Sequence, residues 1–255
     1  MDTDLRNKGI LVTGGAGGIG QAVVRAFASE GARVAIHYRA SEAAALALAA
    51  EVGGVALGAD LRLEEEADEL VPRAVEALGS LSVCVANAGV WPSEDLRLWE
   101  LPLARWEETI RANLTATFLT VRAFLRHAEK TRTGSIVMVG STAGVFGEAG
   151  HVDYAAAKGG VMTGLLLSAK NEAARLGVRV NAVAPGWTVT PMTTEARKDP
   201  TLERLVTSTM ALKKLGTPED VAAQIVALAS DTVSGHVTGQ VVVVAGGMEG
   251  RLLQD

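Results

Sequence analysis

The chain reads as an α/β protein built on a doubly wound, seven-stranded parallel sheet with helices on both faces, and three observations predict it. Short runs rich in β-branched residues alternate with longer alanine-rich segments along all 255 residues, the alternation expected when helical crossovers join parallel strands. The strand-like runs are apolar almost throughout instead of every second residue, as suits strands covered on both faces. The composition, 48% hydrophobic with 28 glycines but only 4% aromatic, calls for a core of Ala, Val and Leu with close helix-to-strand packing.

In order, the predicted strands are GILVTG (9–14), RVAIHY (33–38), VALGAD (55–60), LSVCVAN (81–87), SIVMVGS (135–141), VRVNAVAPG (178–186) and VVVVAGG (241–247). Between them, segments 20–30, 41–52, 63–78, 103–130, 154–176 and 218–230 have helical length and composition. No linker, repeat or low-complexity segment divides the chain, so 1–255 reads as one domain. The least regular stretch is 186–217, where Pro191, Pro200 and several threonines break the strand–helix rhythm. A substrate lid is expected within it, with a plain surface excursion as the alternative.

Bulk properties exclude several classes. A net charge of −5 and a pI near 5.5 are the opposite of a general nucleic-acid binder. The longest block of like charge is EEE at 64–66, expected on a solvated helix face. The single cysteine, Cys84, lies in an apolar run and reads as a buried, inert thiol. It has no second cysteine to pair with, which suits a reducing compartment. The N-terminal MDTDLRNKG is unlike a signal peptide, and no apolar run approaches the roughly 20 residues needed to span a bilayer. A soluble, cytoplasmic protein is expected.

Chemistry enters with ILVTGGAGGIGQAVVRAF (10–27), a strand, a glycine turn and a helix in sequence. Glycines here allow a tight turn and let the backbone approach a pyrophosphate, whose charge the free N–H groups of the helix start then bind. The end of the second strand tests which dinucleotide. An acid there would bond the ribose 2′-hydroxyl of NAD, but the sequence is Tyr38-Arg39. Arginine matches a 2′-phosphate, and Ser41 offers a further hydroxyl, so NADP(H) is favoured over NAD(H).

With the motifs that follow, the chain resembles the short-chain dehydrogenase/reductase family over essentially its whole length. TGGAGGIG at 13–20 is similar to the family's T-G-x-x-x-G-x-G turn, which singles out Gly14, Gly18, Ile19 and Gly20. NAG at 87–89, Asn113 in RANL, Ser141 placed 13 residues before Tyr154, YAAAK at 154–158 and PGWTVTPM at 185–192 fall in the family's order. The resemblance implies a Rossmann sheet and a role for each position. Asp60 and Leu61 would bracket the adenine, and Asn87, Ala88 and Gly89 would line the cofactor. Pro185, Gly186, Thr188 and Thr190 would hold the nicotinamide carboxamide. Asn113 would hold a water linking Lys158 to solvent. A homotetramer is implied, with the helices of 103–130 and 154–176 at one interface. Two positions depart from the pattern. Gly17 stands where NADP users often carry a basic residue, and Ala245 where an acid often precedes the final glycines.

The residue types suit the reaction. Carbonyl reduction needs a proton transfer to match the hydride, and an unperturbed tyrosine, with a pKa of about 10, is a weak acid–base group. Residues four apart share a helix face, so Lys158 points the same way as Tyr154 and its charge favours the phenolate. Ser141 ends the fifth strand, on the edge where parallel sheets bind ligands, and its hydroxyl can polarise a substrate carbonyl. Catalytic residues are therefore Ser141, Tyr154 and Lys158, to which the resemblance adds Asn113. The four histidines show no metal-ligand spacing, so no metal is expected. His151, with Val152 and Asp153, is expected beside the substrate.

Within the family the pattern is most similar to 3-oxoacyl-acyl carrier protein reductases. That likeness implies an acyl-thioester substrate and a carrier protein bound through Arg132 and Arg175. Sugar, polyol and other small alcohol dehydrogenases share the scaffold and remain the alternative. A non-catalytic nucleotide-binding regulator is a remoter one, since it would keep the glycine turn but lose the serine, tyrosine or lysine. The tryptophan-rich stretch 90–106 serves equally as pocket wall or as helix packing.

Overall fold

The computed structural model describes residues 2–249. Seven parallel strands form one sheet: β1 (Gly9–Val12), β2 (Arg33–Tyr38), β3 (Val55–Gly58), β4 (Val83–Ala86), β5 (Gly134–Val139), β6 (Val178–Pro185) and β7 (Val241–Val244). Their order is β3-β2-β1-β4-β5-β6-β7. The direction of winding therefore reverses between β1 and β4, and in such sheets the crevice for ligands opens at that reversal. All seven predicted strands are present.

Helices α1 (Gly18–Ser29), α2 (Glu42–Val52) and α3 (Glu64–Leu78) follow the first three strands. Then come α4 (Leu103–Ile110) and α5 (Ala116–Thr131), the short α6 (Ala143–Phe146), and α7 (Val152–Gly160) and α8 (Leu166–Ala173). The chain closes with α9 (Pro200–Ser208), α10 (Pro218–Ala229) and the short α11 (Asp231–Ser234). One apolar layer packs α3, α5 and α8 on the sheet around Phe124, Ile136 and Met138. The other packs α1, α2 and α10 around Phe27, Ile36 and Ile225. Cys84 is wholly buried and its thiol is pushed up to about 12 by burial, as befits an inert core residue.

Two expected helices are interrupted. A π-turn, Arg111–Thr115, separates α4 from α5, and another, Val161–Leu165, separates α7 from α8. Such turns are common beside functional sites. The first carries Asn113. The irregular stretch 186–217 holds two 3₁₀ turns and α9, which starts on Asp199 capping the Thr201 amide at 2.8 Å, with proline in the first turn. No helix among the described residues is long and apolar enough to cross a membrane.

Candidate active site

The carboxyl edge of the sheet opens into two joined clefts of about 320 and 280 Å³. They share Ile19, Asn87, Gly89 and Thr190. At the β1–β4 reversal the Thr13 hydroxyl accepts the amides of Asn87 (3.0 Å) and Ala88 (3.1 Å), while Asn87 Nδ2 donates to the carbonyls of Thr13 and Gly14. The turn that follows is a cradle for an anion. Gly14 has φ +61°, and a Cβ on Gly20 would collide with the Gly14 carbonyl. α1 begins without a capping side chain and without an acid in its first turn, so its leading amides are free for phosphate oxygens. These features fit the pyrophosphate of a dinucleotide.

His37, which the sequence left without a role, braces this cradle. Its Nδ1 accepts the Gly14 amide (3.0 Å) and its Nε2 bonds the Ala59 carbonyl (2.9 Å). That pattern requires the neutral ring with hydrogen on Nε2. Burial pushes the imidazole below its ordinary value, which keeps that state at neutral pH. Replacing His37 by Leu leaves the Gly14 amide unpaired. We expect NADPH affinity, read by fluorescence titration, to fall about tenfold with little change in kcat at saturation.

The second cleft is bordered by Arg39, Ser41, Asp60, Leu61, Arg62 and Ala88. Arg39 is exposed and, among the described residues, makes no ion pair, whereas the Asp60 carboxylate is gripped by Arg62 (Nη2–Oδ2 2.6 Å) and is held down at about 2 chiefly by that bond. Arg62 also reaches Glu108 at 2.6 Å.

The first cleft gathers Ser141, Tyr154, Lys158, Pro185, Gly186 and Thr188. Ser141 follows β5 and accepts the Ala143 amide at 3.1 Å. Tyr154 and Lys158 lie on one face of α7, with the ammonium 5.8 Å from the centre of the phenol ring. Lys158 is buried, donates to the Val139 carbonyl at 2.9 Å and is pushed down to about 8 by burial. The phenol is pushed up to about 12, chiefly by burial, with the neighbouring Ser141 side chain drawing it down. The expected lowering by Lys158 does not show: burial dominates the phenol, and the buried ammonium is itself pushed down. Gly89 is the spacer between these groups: a Cβ there would lie 2.6 Å from Asn113 Oδ1 and 3.1 Å from Lys158 Nζ.

Asn113 is fully buried, and its side chain clamps Val90: Oδ1 accepts the Val90 amide (3.1 Å), while Nδ2 donates to the carbonyls of Val90 (3.0 Å) and Thr109 (3.0 Å). His151 and Asp153 depart from the expectation of substrate contact. Both are buried behind the cleft wall, His151 stacked on Trp91 at 4.5 Å and Asp153 bonded to Arg105 (3.1 Å) and Thr109 (2.8 Å). The residues that reach the cleft are Trp91, Glu148 and Trp187. Of the tryptophans in 90–106, Trp91 is pocket wall, while Trp99 is 78% exposed and belongs to neither expected role.

Comparison with known proteins agrees with this geometry. Residues 14–249 match the family model described as enoyl-(acyl carrier protein) reductase. The chain is 37% identical over 243 residues to a 3-oxoacyl-[acyl-carrier-protein] reductase of Synechocystis, covering 93% of this chain and 95% of that one. It is 37% identical over 253 residues to an L-rhamnose 1-dehydrogenase (NAD(P)(+)) of Azotobacter vinelandii, covering 96% and 97%. It is 35% identical over 250 residues to a 3-oxoacyl-[acyl-carrier-protein] reductase of Staphylococcus epidermidis, covering 95% and 99%. The sheet order, the glycine cradle and the Ser141–Tyr154–Lys158 constellation thus meet a full-length sequence match, and the chain belongs to the short-chain dehydrogenase/reductase family, oxidoreductases that use a nicotinamide cofactor.

Proposed function

We propose that the protein is an NADP(H)-dependent carbonyl reductase acting on 3-oxoacyl thioesters, with Tyr154 as its acid. The observation that carries the chemistry is the placement of Ser141, Tyr154 and Lys158 together in a cleft continuous with the glycine cradle. The substrate class is supported by the Synechocystis and Staphylococcus relatives. The cofactor, held by the cradle, Asn87–Gly89 and the Pro185–Thr190 segment, supplies the hydride. The chain's own residues do the rest. Ser141 Oγ fixes and polarises the substrate oxygen. Tyr154 Oη gives that oxygen its proton. Lys158 offsets the charge left on the phenol and then hands it a proton, and Asn113 holds the water through which Lys158 recovers one from solvent. Segment 186–217 closes over the substrate: Met192, Thr193 and Thr209 already border the cleft.

NADP(H) is favoured over NAD(H) because, among the described residues, Arg39 is the guanidinium at the second cleft without an ion pair, while Arg62 is spent on Asp60 and Glu108. Arg39→Asp is expected to reverse the ratio of kcat/KM for NADPH over NADH by about a hundredfold, a charge reversal at a phosphate contact. An unchanged ratio would remove Arg39 from the assignment.

A cytoplasmic homotetramer is the assembly we favour. Leu103, Phe118 and Leu167, apolar yet exposed on α4, α5 and α8, suit burial against further copies. Arg132 and Arg175, joined through the Arg175 carbonyl at 2.6 Å, flank the amino ends of β5 and β6. That is the sheet edge opposite the clefts, so a carrier protein docked on them would serve the cleft of a neighbouring copy. A second reading, oxidation or reduction of a sugar or polyol, draws on the Azotobacter relative and on the indole walls of the cleft. Steady-state oxidation of NADPH with acetoacetyl thioesters, sugars and simple ketones tests both. Turnover of none of them would sink the enzymatic reading.

A further inference from the structure

Glu148 is the carboxylate that borders the catalytic cleft, and an unsubstituted 3-oxoacyl chain, which carries no hydroxyl, offers it no hydrogen bond. It sits on the loop between α6 and α7, six residues before Tyr154. Its Oε1 accepts the indole N–H of Trp91 at 3.2 Å, and His151 Nδ1 stands 3.7 Å from the same oxygen. Among the described residues no hydrogen bond reaches Oε2. The support behind is stiff. His151 donates from Nε2 to the Pro92 carbonyl at 2.7 Å, lies flat on Trp91 and has Asp95 Oδ1 3.3 Å from Nδ1. Trp187 meets Trp91 edge to face at 6.3 Å. The cleft thus carries one fixed acceptor set in a wall of two indoles.

A plain alkyl group against this wall would strip water from Glu148 Oε2 and return no hydrogen bond, and a buried acceptor left unpaired is costly. A hydroxyl at the same place would return the bond, while the carbon skeleton lies on the indole faces. Burial holds the Glu148 carboxyl above its ordinary value, which eases its place among apolar neighbours without removing its capacity to accept.

We infer that Glu148 is a specificity-determining residue that accepts a hydrogen bond from the substrate, so that the cleft selects carbonyl compounds bearing a hydroxyl near the reacting carbon. The inference rests on the carbonyl chemistry assigned to Tyr154 and Ser141, and it narrows the substrate, whatever leaving or carrier group lies beyond.

The test is a matched pair, 1-hydroxy-2-butanone and 2-butanone, assayed with NADPH beside acetoacetyl thioester. Wild type, Glu148→Gln and Glu148→Leu are compared, each checked for an unchanged Tm. We expect wild-type kcat/KM to favour the hydroxyketone by at least about tenfold. Glu148→Gln, which keeps an acceptor oxygen, is expected to retain part of that preference, and Glu148→Leu to abolish it while gaining on the unsubstituted ketone. An equal preference in wild type and Glu148→Leu overturns the assignment, as does wild-type turnover of the thioester with no preference between the ketones. Failure of the wild type on all three compounds overturns the underlying carbonyl chemistry instead.

Discussion

Replacement of Tyr154 by Phe is expected to lower kcat by roughly a thousandfold, within the range that a positioned acid–base group supplies. The ring and its packing on α7 are kept, and only the hydroxyl that shares the cleft with Ser141 is lost. NADPH affinity, measured by fluorescence titration, should therefore stay within about threefold, because the glycine cradle and the second cleft are untouched. A variant that kept more than a tenth of wild-type turnover would show that some other group delivers the proton. The pH profile gives a second check on the same assignment. With the phenol at about 12 and Lys158 at about 8, the acid stays loaded across neutral pH. The ammonium that balances its loss does not. Reductive kcat is expected to be level near pH 7 and to decline as pH rises through about 8.

The second large effect concerns stability. Arg105→Leu should lower stability by about 3 kcal/mol, because it strands a buried carboxylate. Asp153 is wholly buried, and Arg105 Nε is 3.1 Å from its Oδ2. Burial pushes the Asp153 carboxyl up, but the bonds from Thr109, the Tyr154 amide and Arg105 outweigh it, and the group lies below its ordinary value. A depressed carboxylate stabilises the fold fully above its unfolded pKa, near 4, and that contribution is lost as pH falls through the folded value. The wild type should therefore melt about 6–12 °C above the variant at pH 7, with the gap narrowing below about pH 4. Adding Asp153→Asn to Arg105→Leu removes the stranded charge and should recover much of the loss. If the double variant melts no higher than the single one, the charge is not the cause.

Much of this was legible in the sequence because it depends on local pattern. A strand covered on both faces must be apolar throughout, so VCVA and SIVMV declared themselves. The spacing of Tyr154 and Lys158 places both on one helix face whatever surrounds them. The Asp-Pro opening of α9 was equally available in KDPTLERLVTS, but the surrounding prolines and threonines masked it. What pattern could not supply were the contacts made across the chain. His37 gains its role from Gly14 and Ala59, 23 and 22 residues away. Glu148 gains its role from Trp91, 57 residues away. The π-turn at Asn113 adds a residue to a helix whose composition is ordinary throughout, and burial, which no motif encodes, decides the proton on Tyr154.

The stitch at Thr13 has a mechanical consequence. The two halves of the sheet meet at the seam between β1 and β4, where the winding reverses. One hydroxyl on β1 takes two amides from the end of β4, and it spans the seam just below the point where a dinucleotide would lie. The width of the crevice is thus set by a rigid peg and not by the elasticity of the sheet. Asn87, held by that peg, borders both clefts, so the two share one fixed wall.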